Sequence, residues 1–276
     1  MGKAIIYLLL STLFLSACTQ GTLTGESAVL KKGQTGLVLK ESVPASFFPE
    51  PVRVVSIGDS LTEGVGDSTN SGGYLPYLKE QLEKEPQIAS AEFLNYGVRG
   101  NTTSQLLDRL EKSKIKEDIR RADSVVITIG GNDIMKVVKQ NFTNLTNEQF
   151  EQAQVAYERR LSEIMDKIRS YNSRATIYLI GVYNPFSKWM SSLKEMDAIM
   201  AQWNSASEEI VSSVENAHYI EIADIFEKDD EDLLFTDDYF HPNDRGYEMI
   251  AGRIYTAMDE NQYGQAMEAT AKGDEE

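Results

Sequence analysis

Cysteine and histidine are the scarcest reactive residues of this 276-residue chain, which holds one cysteine, Cys18, and two histidines, His218 and His241. A single cysteine excludes a disulfide within the chain. Three such residues also leave almost no ligands for a zinc site or another soft-metal centre. The sequence therefore predicts that the protein holds no metal.

Basic residues are also scarce, since 27 Lys and Arg stand against 43 Asp and Glu and give a formal net charge of −16. Nucleic acid and anionic membrane surfaces repel such a chain, so nucleic acid is not expected as a partner. The charge favours solubility. A preference for neutral or cationic substrates is a second interpretation, which the sequence leaves open.

No apolar run is comfortably long enough to span a membrane as a helix, including the one over residues 4–15. Lys3 precedes this run, and a Leu-Ser-Ala-Cys motif that ends at Cys18 follows it, an order typical of a secretory signal peptide. The motif resembles the bacterial lipobox, in which the signal is cut before the cysteine and the thiol is lipidated. We therefore predict anchoring through a lipid on Cys18 at the extracellular face of a bacterial membrane. A secreted protein with an incidental cysteine is the alternative.

Composition divides the chain into four parts. Residues 1–17 form the predicted signal peptide. Residues 18–51, with several glycines and prolines, read as the lipidated cysteine, a tether and a lead-in to the domain. Residues 52–260 form the predicted domain, and the polar, acidic residues 261–276 are predicted to be a disordered tail.

Five short runs rich in apolar and β-branched residues predict buried strands. They cover residues 52–57, 92–96, 124–129, 176–180 and 219–222. Apolar residues at intervals of three and four predict helices between several of them. Strands that alternate with helices imply an α/β fold with a five-stranded parallel sheet covered on both faces. Chemistry in such a sheet lies beyond the carboxyl ends of the strands.

Ser60 directly follows the first predicted strand, in the segment Gly-Asp-Ser-Leu. A serine hydroxyl becomes an effective nucleophile only when a base takes its proton. His241 is the candidate base, because Asp238 lies three residues before it and can hold the imidazole. Asp237 is a near neighbour that the spacing disfavours. His218 enters the fifth strand at the end where chemistry is not expected, which predicts a surface or partly buried histidine.

Acyl transfer also needs hydrogen-bond donors for the oxyanion that develops on the substrate. Gly100 follows the second predicted strand and can present a backbone N–H without a side chain in the way. Asn132 follows the third strand, where its amide can donate as well. Each segment alone is an ordinary glycine-containing turn. Together with Ser60, Asp238 and His241 they make the full set that an acyl-transfer site requires.

These four segments, in this order, resemble the SGNH hydrolase superfamily, also called GDSL-type lipases or acylhydrolases. The resemblance spans about residues 52–258. The segments Gly72-Gly73-Tyr74 and 181–186 further resemble a lipoprotein subgroup of Gram-positive bacteria. The family implies a flavodoxin-like three-layer α/β/α sandwich without a metal or organic cofactor.

The same resemblance assigns roles to the five residues. Ser60 attacks the acyl carbon, His241 acts as base and then as acid, and Asp238 orients His241. The oxyanion is held by the backbone N–H groups of Ser60 and Gly100 and by the side chain of Asn132. The implied activity is hydrolysis of a carboxylic ester through an acyl-enzyme by what we expect to be a monomer.

The substrate stays open at this stage. A lipid, a short-chain ester and an O-acetyl group on a cell-wall polysaccharide all fit, as does transfer of the acyl group to another alcohol. A non-catalytic lipoprotein that captures substrate is a further alternative. Tyr183, Phe186 and Trp189 form either a wall for the acyl group or ordinary loop packing, and residues 134–150 form either a lid or a connection.

Overall fold

Five parallel strands form one sheet in the order β2-β1-β3-β4-β5, which confirms the α/β fold and the number of strands predicted from the sequence. The strands are β1 (Glu50–Gly58), β2 (Ile88–Gly97), β3 (Ser124–Thr128), β4 (Thr176–Ile180) and β5 (Ala217–Ile220). The structure is a computed structural model that describes residues 48–186, 194–227 and 232–273. The predicted signal peptide, Cys18 and most of the tether lie outside the described residues.

The helices of the described residues connect these strands and complete the chain. They are α1 (Ser60–Glu63), α2 (Leu75–Leu82), α3 (Thr103–Leu110), α4 (Ser113–Arg120), α5 (Gly131–Gln140), α6 (Asn147–Tyr171), α7 (Lys194–Ser212), α8 (Ala223–Glu227) and α9 (Asp244–Gly273). Within these ranges, no helix has both the length and the hydropathy of a membrane span.

The sheet is covered on both faces because its strands carry apolar side chains on both sides. Val55 belongs to a buried cluster with residues of α3, α4, α5, α6 and α7, while its neighbour Val54 belongs to a second cluster with α2, α8 and α9. Both valines are completely buried. Successive side chains of a strand point to opposite faces, so this one strand contributes to two cores. The result is the three-layer α/β/α arrangement expected from the sequence.

Differences from the sequence prediction lie at the ends of elements. The fifth strand spans Ala217–Ile220 instead of residues 219–222, because pairing with Ile177–Ile180 of β4 draws Ala217 and His218 into the sheet. The last helix continues to Gly273, so regular structure extends 13 residues past residue 260. Residues 261–273 contain no proline, and their three alanines, two glutamines and one methionine favour a helix.

Residues 134–150 form a packed connection in the structure. They comprise most of α5, a short link and the start of α6. Ile134 and Phe150, at the two ends of this segment, are both buried in the core that contains α6. This packing favours the connection over the lid as the interpretation of the segment.

The topology opens a crevice beyond the carboxyl end of β1. The chain passes from β1 to β2 on one side and returns to β3 on the other, so connections leave β1 and β3 in opposite directions. Ligands of open parallel sheets bind at such a reversal of strand order. Gly58 ends β1 with φ of +145°, and a Cβ there would lie 2.0 Å from the Thr128 carbonyl oxygen. Only glycine therefore fits at the position where β1 turns into the crevice.

Candidate active site

Ser60 is the first residue of the short helix α1, directly beyond the end of β1. The Asp59 carboxylate caps this helix, because its Oδ1 atom accepts a hydrogen bond from the Leu61 N–H at 3.1 Å. Gly64 ends the helix in the left-handed conformation. The tight turn and the cap hold the Ser60 side chain at the carboxyl edge of the sheet, where it is almost fully buried.

His241 lies against Ser60, although 181 residues separate them in the sequence. The imidazole Nε2 is 2.8 Å from the Ser60 Oγ, and Nδ1 is 2.6 Å from Oδ2 of Asp238. Because the carboxylate accepts from Nδ1, Nε2 is the ring nitrogen that can accept the serine proton. The arrangement can therefore deprotonate Ser60 and stabilise the imidazolium that results.

The Asp238 carboxylate is fixed by the backbone of its own turn. Its Oδ1 atom accepts from the N–H groups of Phe240 and His241, both at 3.0 Å. Partial burial alone would raise the pKa of Asp238, but these hydrogen bonds and the His241 ring lower the pKa below its ordinary value. A carboxylate held charged in this way favours the protonated imidazole during a reaction.

Asp237 and His218, which the sequence disfavours as catalytic residues, do not line the cavity at Ser60. His218 lies in β5 and stacks on Tyr178, with the ring centroids 5.5 Å apart. Its partial burial matches the expectation from the sequence.

Gly100 and Asn132 line the same cavity as Ser60 and His241. Gly100 has φ of +80°, and a Cβ built there would meet no atom within 4 Å, so the backbone conformation and not the available space requires glycine. Asn132 is the second residue of α5, and its Nδ2 donates to the Asn101 carbonyl at 3.1 Å. The cavity between these residues has a volume of about 340 Å³. It is lined by Ser60, Arg99, Gly100, Asn132, Met135, Lys139, Phe186, Asp238, Phe240 and His241.

A buried acidic residue that the sequence analysis did not single out joins the two donor segments. Asp133 accepts from the Thr103 N–H at 2.9 Å and from the Thr103 hydroxyl at 2.7 Å. Arg160 from α6 donates to Asp133 at 3.1 Å and to the Thr103 Oγ1 at 2.7 Å. The start of α5, which carries Asn132, is thereby locked to the start of α3, which follows Gly100. The position of Asp133 beside Asn132 was the only sign of this role in the sequence.

Arg109 fixes the loop that contains Gly100 to the ends of two strands. Its guanidinium donates to the carbonyl oxygens of Tyr96 at 2.6 Å and Gly58 at 3.2 Å and to the side chain of Asn101 at 3.0 Å. These contacts join the ends of β1 and β2 to the loop that contains Gly100. Nothing in the sequence around Arg109 distinguishes it from an exposed helical arginine, so sequence reasoning had no signal for it.

The segment that carries His241 is fixed by a second loop, residues 64–73. The Tyr247 hydroxyl donates to the Val65 carbonyl at 2.7 Å. Asp244 accepts from the Ser68 N–H at 2.8 Å and from its hydroxyl at 2.5 Å. These contacts join the loop after Ser60 to the start of α9, so the relative position of Ser60 and His241 is set on both sides.

The proposed apolar wall is only partly present at the cavity. Phe186 lines it, whereas Tyr183 donates its hydroxyl to the Phe240 carbonyl at 2.6 Å and stacks on Phe226. Tyr183 therefore packs the loop onto the domain. Trp189 lies outside the described residues. Over the described part of the chain, no three His, Cys, Asp or Glu side chains are grouped so that they could hold a metal ion.

Asp59, next to Ser60, is a buried acid. Its carboxylate accepts from the Thr128 hydroxyl at 2.9 Å as well as from the Leu61 N–H. Burial raises its pKa to about 7, and these hydrogen bonds offset only part of the effect. In the unfolded chain an aspartate titrates near pH 4. Between about pH 4 and pH 7 the folded protein therefore binds more protons at Asp59 than the unfolded chain does.

We expect this difference to make the protein less stable as pH rises through that window. Protonated Asp59 contributes on the order of 4 kcal/mol at most to the free energy of unfolding. This contribution is fully present below about pH 4 and is lost as the pH rises through 7. Asp59→Asn removes the titrating group, so the fall in the free energy of unfolding between pH 5 and pH 8 becomes smaller. Urea titrations of both proteins at the two pH values measure it. If the free energy of unfolding falls equally in wild type and Asp59→Asn, the raised pKa of Asp59 is wrong.

Comparison with known proteins places this chain among ester hydrolases. The model of the GDSL-like Lipase/Acylhydrolase family matches residues 56–249. YpmR of Bacillus subtilis (strain 168), an uncharacterised protein, is 35% identical over 247 residues, which cover 89% of this chain and 92% of YpmR. The spore germination lipase LipC of Bacillus licheniformis is 26% identical over 212 residues, which cover 75% of this chain and 96% of LipC.

The fold gives the same assignment. The crystal structure of the lipase Lip_vut3, from a goat rumen metagenome, is similar with a TM-score of 0.66 and 25% sequence identity. The similarity covers 75% of this chain and 97% of Lip_vut3. The family match covers more than half of the chain and spans the segments that contain Ser60, Gly100, Asn132 and His241. The chain therefore belongs to the GDSL-like lipase/acylhydrolase family and is an enzyme that hydrolyses ester bonds.

Proposed function

We propose that the protein hydrolyses carboxylic esters by nucleophilic catalysis at Ser60, with His241 as the base and Asp238 as its partner. The observation that carries the proposal is the 2.8 Å contact between the Ser60 Oγ and the His241 Nε2. That distance lies within hydrogen-bond reach for proton transfer. The second ring nitrogen is already engaged by Asp238, so the imidazole has a defined orientation.

The reaction proceeds in two halves. The Ser60 Oγ attacks the acyl carbon while its proton passes to His241, and the carbonyl oxygen becomes an oxyanion. The N–H groups of Ser60 and Gly100 and the Asn132 amide stabilise this oxyanion. The intermediate collapses to an acyl-Ser60 ester as His241 returns the proton to the departing alcohol. Water then attacks the acyl-enzyme with the same base, which releases the acid and restores Ser60.

A panel of p-nitrophenyl esters, from acetate to long acyl chains, tests the activity with the purified chain. We expect release of p-nitrophenol that depends on Ser60. The chain-length profile separates a short-chain esterase, such as an O-acetylesterase, from a lipase. The likeness to LipC supports lipid esters as one substrate class to include. Turnover by wild type and Ser60→Ala at equal rates would contradict the proposed site.

We further propose that Cys18 carries the lipid anchor and that the domain acts at the extracellular face of a bacterial membrane. The support is the sequence order of Lys3, the apolar residues 4–15 and the small residues before Cys18. With this anchor, the chain would belong to the lipoprotein subgroup of the GDSL-type enzymes. Acyl chains give a protein an affinity for membranes that increases with the number of buried methylenes.

Cys18→Ser tests the anchor directly. We expect wild type expressed in a Gram-positive host to fractionate with the membrane and to incorporate labelled fatty acid. The variant lacks the thiol, so it should take up no label. Ser60→Ala is the matched control and should remain lipidated. Labelled Cys18→Ser, or wild type that is unlabelled and free in the medium, would overturn this proposal.

A further inference from the structure

Two cationic side chains stand at the cavity that contains Ser60. Arg99 and Lys139 both line it, and both are exposed at its mouth. Among the described residues, neither has a carboxylate within the 4.0 Å limit of an ion pair, and neither side chain makes a hydrogen bond. Asp238 is the only acid among the described residues that line the cavity, and both of its oxygens are engaged by the turn of His241.

Other arginines close to the site are used by the fold. Arg109 binds backbone carbonyls, and Arg160 binds Asp133 and Thr103. Arg99 differs from both, because its backbone N–H is held by the Glu63 carboxylate while its guanidinium has no such partner. The backbone beside Gly100 is thus fixed, and the charged end of Arg99 is available to a bound molecule.

We infer that the enzyme selects esters whose alcohol part carries an anionic group, a phosphate or a carboxylate, that Arg99 and Lys139 bind. This inference rests on the proposed hydrolysis at Ser60. The acyl parts of the esters proposed above are uncharged hydrocarbon, so an anion that reaches the two cations belongs to the alcohol. Arginine and lysine side chains commonly bind phosphate and carboxylate groups in proteins. A guanidinium can bind either anion with two hydrogen bonds.

The net charge of −16 favours solubility, and its second interpretation, a preference for neutral or cationic substrates, is the opposite of this inference. Salt screens exposed charges beyond about 8 Å at physiological ionic strength. An anion inside the cavity therefore interacts mainly with Arg99 and Lys139 and only weakly with the acidic remainder of the surface. An exposed ion pair contributes up to about fivefold in affinity, so two such pairs contribute at most about 25-fold, and a preference of about tenfold lies within that limit.

Matched substrates test the inference. A short-chain 1-acylglycerol 3-phosphate is compared with the 1-acylglycerol of the same acyl chain, and a 3-acyloxypropanoate is compared with its methyl ester. At physiological ionic strength, where the acidic remainder of the surface is screened, we expect kcat/KM of wild type to be about tenfold higher for the charged member of at least one pair. The pair with the larger ratio identifies phosphate or carboxylate as the favoured anion. Added salt should reduce this ratio.

Variants then assign the preference to the two residues. Arg99→Gln and Lys139→Gln are each expected to lower the charged-to-neutral ratio about fivefold or less, and the double variant to bring it close to one. The ratio cancels any general effect on the Gly100 loop. Lys136→Gln is the matched control, because Lys136 is exposed on the same helix as Lys139 but does not line the cavity. Its ratio should equal that of wild type.

A wild-type ratio near one in both pairs would overturn the inference while hydrolysis at Ser60 stands. A ratio that persists in the double variant would overturn it as well. Should wild type hydrolyse none of the four esters, calorimetry with 1-O-alkylglycerol 3-phosphate and its uncharged parent ether takes their place. Tighter binding of the phosphate that is lost in the double variant supports the inference while the proposed hydrolysis fails. Equal or absent binding of the two ethers refutes it.

Discussion

Ser60→Ala is expected to lower kcat for ester hydrolysis by about 10⁴-fold or more, with little change in folding. Removal of the nucleophile from a serine hydrolase leaves only the catalysis due to binding and to the oxyanion donors. The side-chain contact that is lost is the hydrogen bond to His241, so the cost in stability is small. Steady-state hydrolysis of the best p-nitrophenyl ester measures the change in rate, and circular dichroism measures folding.

A matched serine separates this effect from a general one. Ser213 lies between α7 and the start of β5, at the amino edge of the sheet and thus opposite the cavity. Its hydroxyl donates to the Ile210 carbonyl at 2.7 Å and is exposed. We expect Ser213→Ala to retain wild-type kcat. A folded Ser60→Ala protein with more than a tenth of wild-type kcat would remove Ser60 from the mechanism.

Asn132→Ala is expected to lower kcat by about 10² to 10³-fold while KM changes little. The Nδ2 atom donates to the oxyanion only when that charge has developed, so the loss falls on the transition state. Asn132→Asp should lose at least as much, because an acceptor with a negative charge then faces the oxyanion. Parallel measurement of kcat and KM for both variants tests these expectations.

Asn141 supplies a control from the opposite end of the same helix. Its Nδ2 donates to the Val137 carbonyl at 2.9 Å, which resembles the contact of Asn132 with the Asn101 carbonyl at 3.1 Å. Asn141→Ala therefore removes a comparable amide–carbonyl hydrogen bond without touching the cavity. A similar loss of kcat in both alanine variants would show that the effect of Asn132 is structural, and the oxyanion role would be wrong.

Much of the sheet could be predicted from the sequence because its central strands contain runs of apolar, β-branched residues. Val54 and Val55 face opposite cores and are both buried, which is what a continuous β-branched run indicates. β5 was harder, since Ala217 and His218 have little strand character of their own and join the sheet through pairing with β4. Long-range pairing decides such an edge, and local sequence does not.

The candidate site was predictable to a similar extent. Ser60, Gly100 and Asn132 each follow a strand, so the parallel topology alone brings them to one edge of the sheet. His241 and Asp238 were found by their spacing. The residues that hold this set together were missed, because Arg109 and Arg160 act through contacts with segments 51 and 57 residues distant. Such contacts leave no periodic or local mark in a sequence.

The anionic preference inferred for the cavity shows a related limit of composition. A net charge describes the whole surface, whereas Arg99 and Lys139 come together only in the folded chain. Lys139 lies in the last turn of α5, the helix whose second residue is Asn132, and Arg99 precedes Gly100. The residues that follow or precede the family motifs by a few positions are therefore the ones that can distinguish this enzyme from others with the same motifs.

The measurement that tests the central claim most directly is covalent trapping at Ser60. A fluorophosphonate reacts with a serine that a neighbouring base activates, in the same way as the first half of ester hydrolysis. After digestion with trypsin, mass spectrometry should find one phosphonyl adduct on the peptide of residues 54–79, and fragmentation should assign it to Ser60. The adduct should be absent from Ser60→Ala and much slower to form in a His241→Ala variant. An adduct on another serine, or ester hydrolysis that continues after Ser60 is fully labelled, would contradict the account.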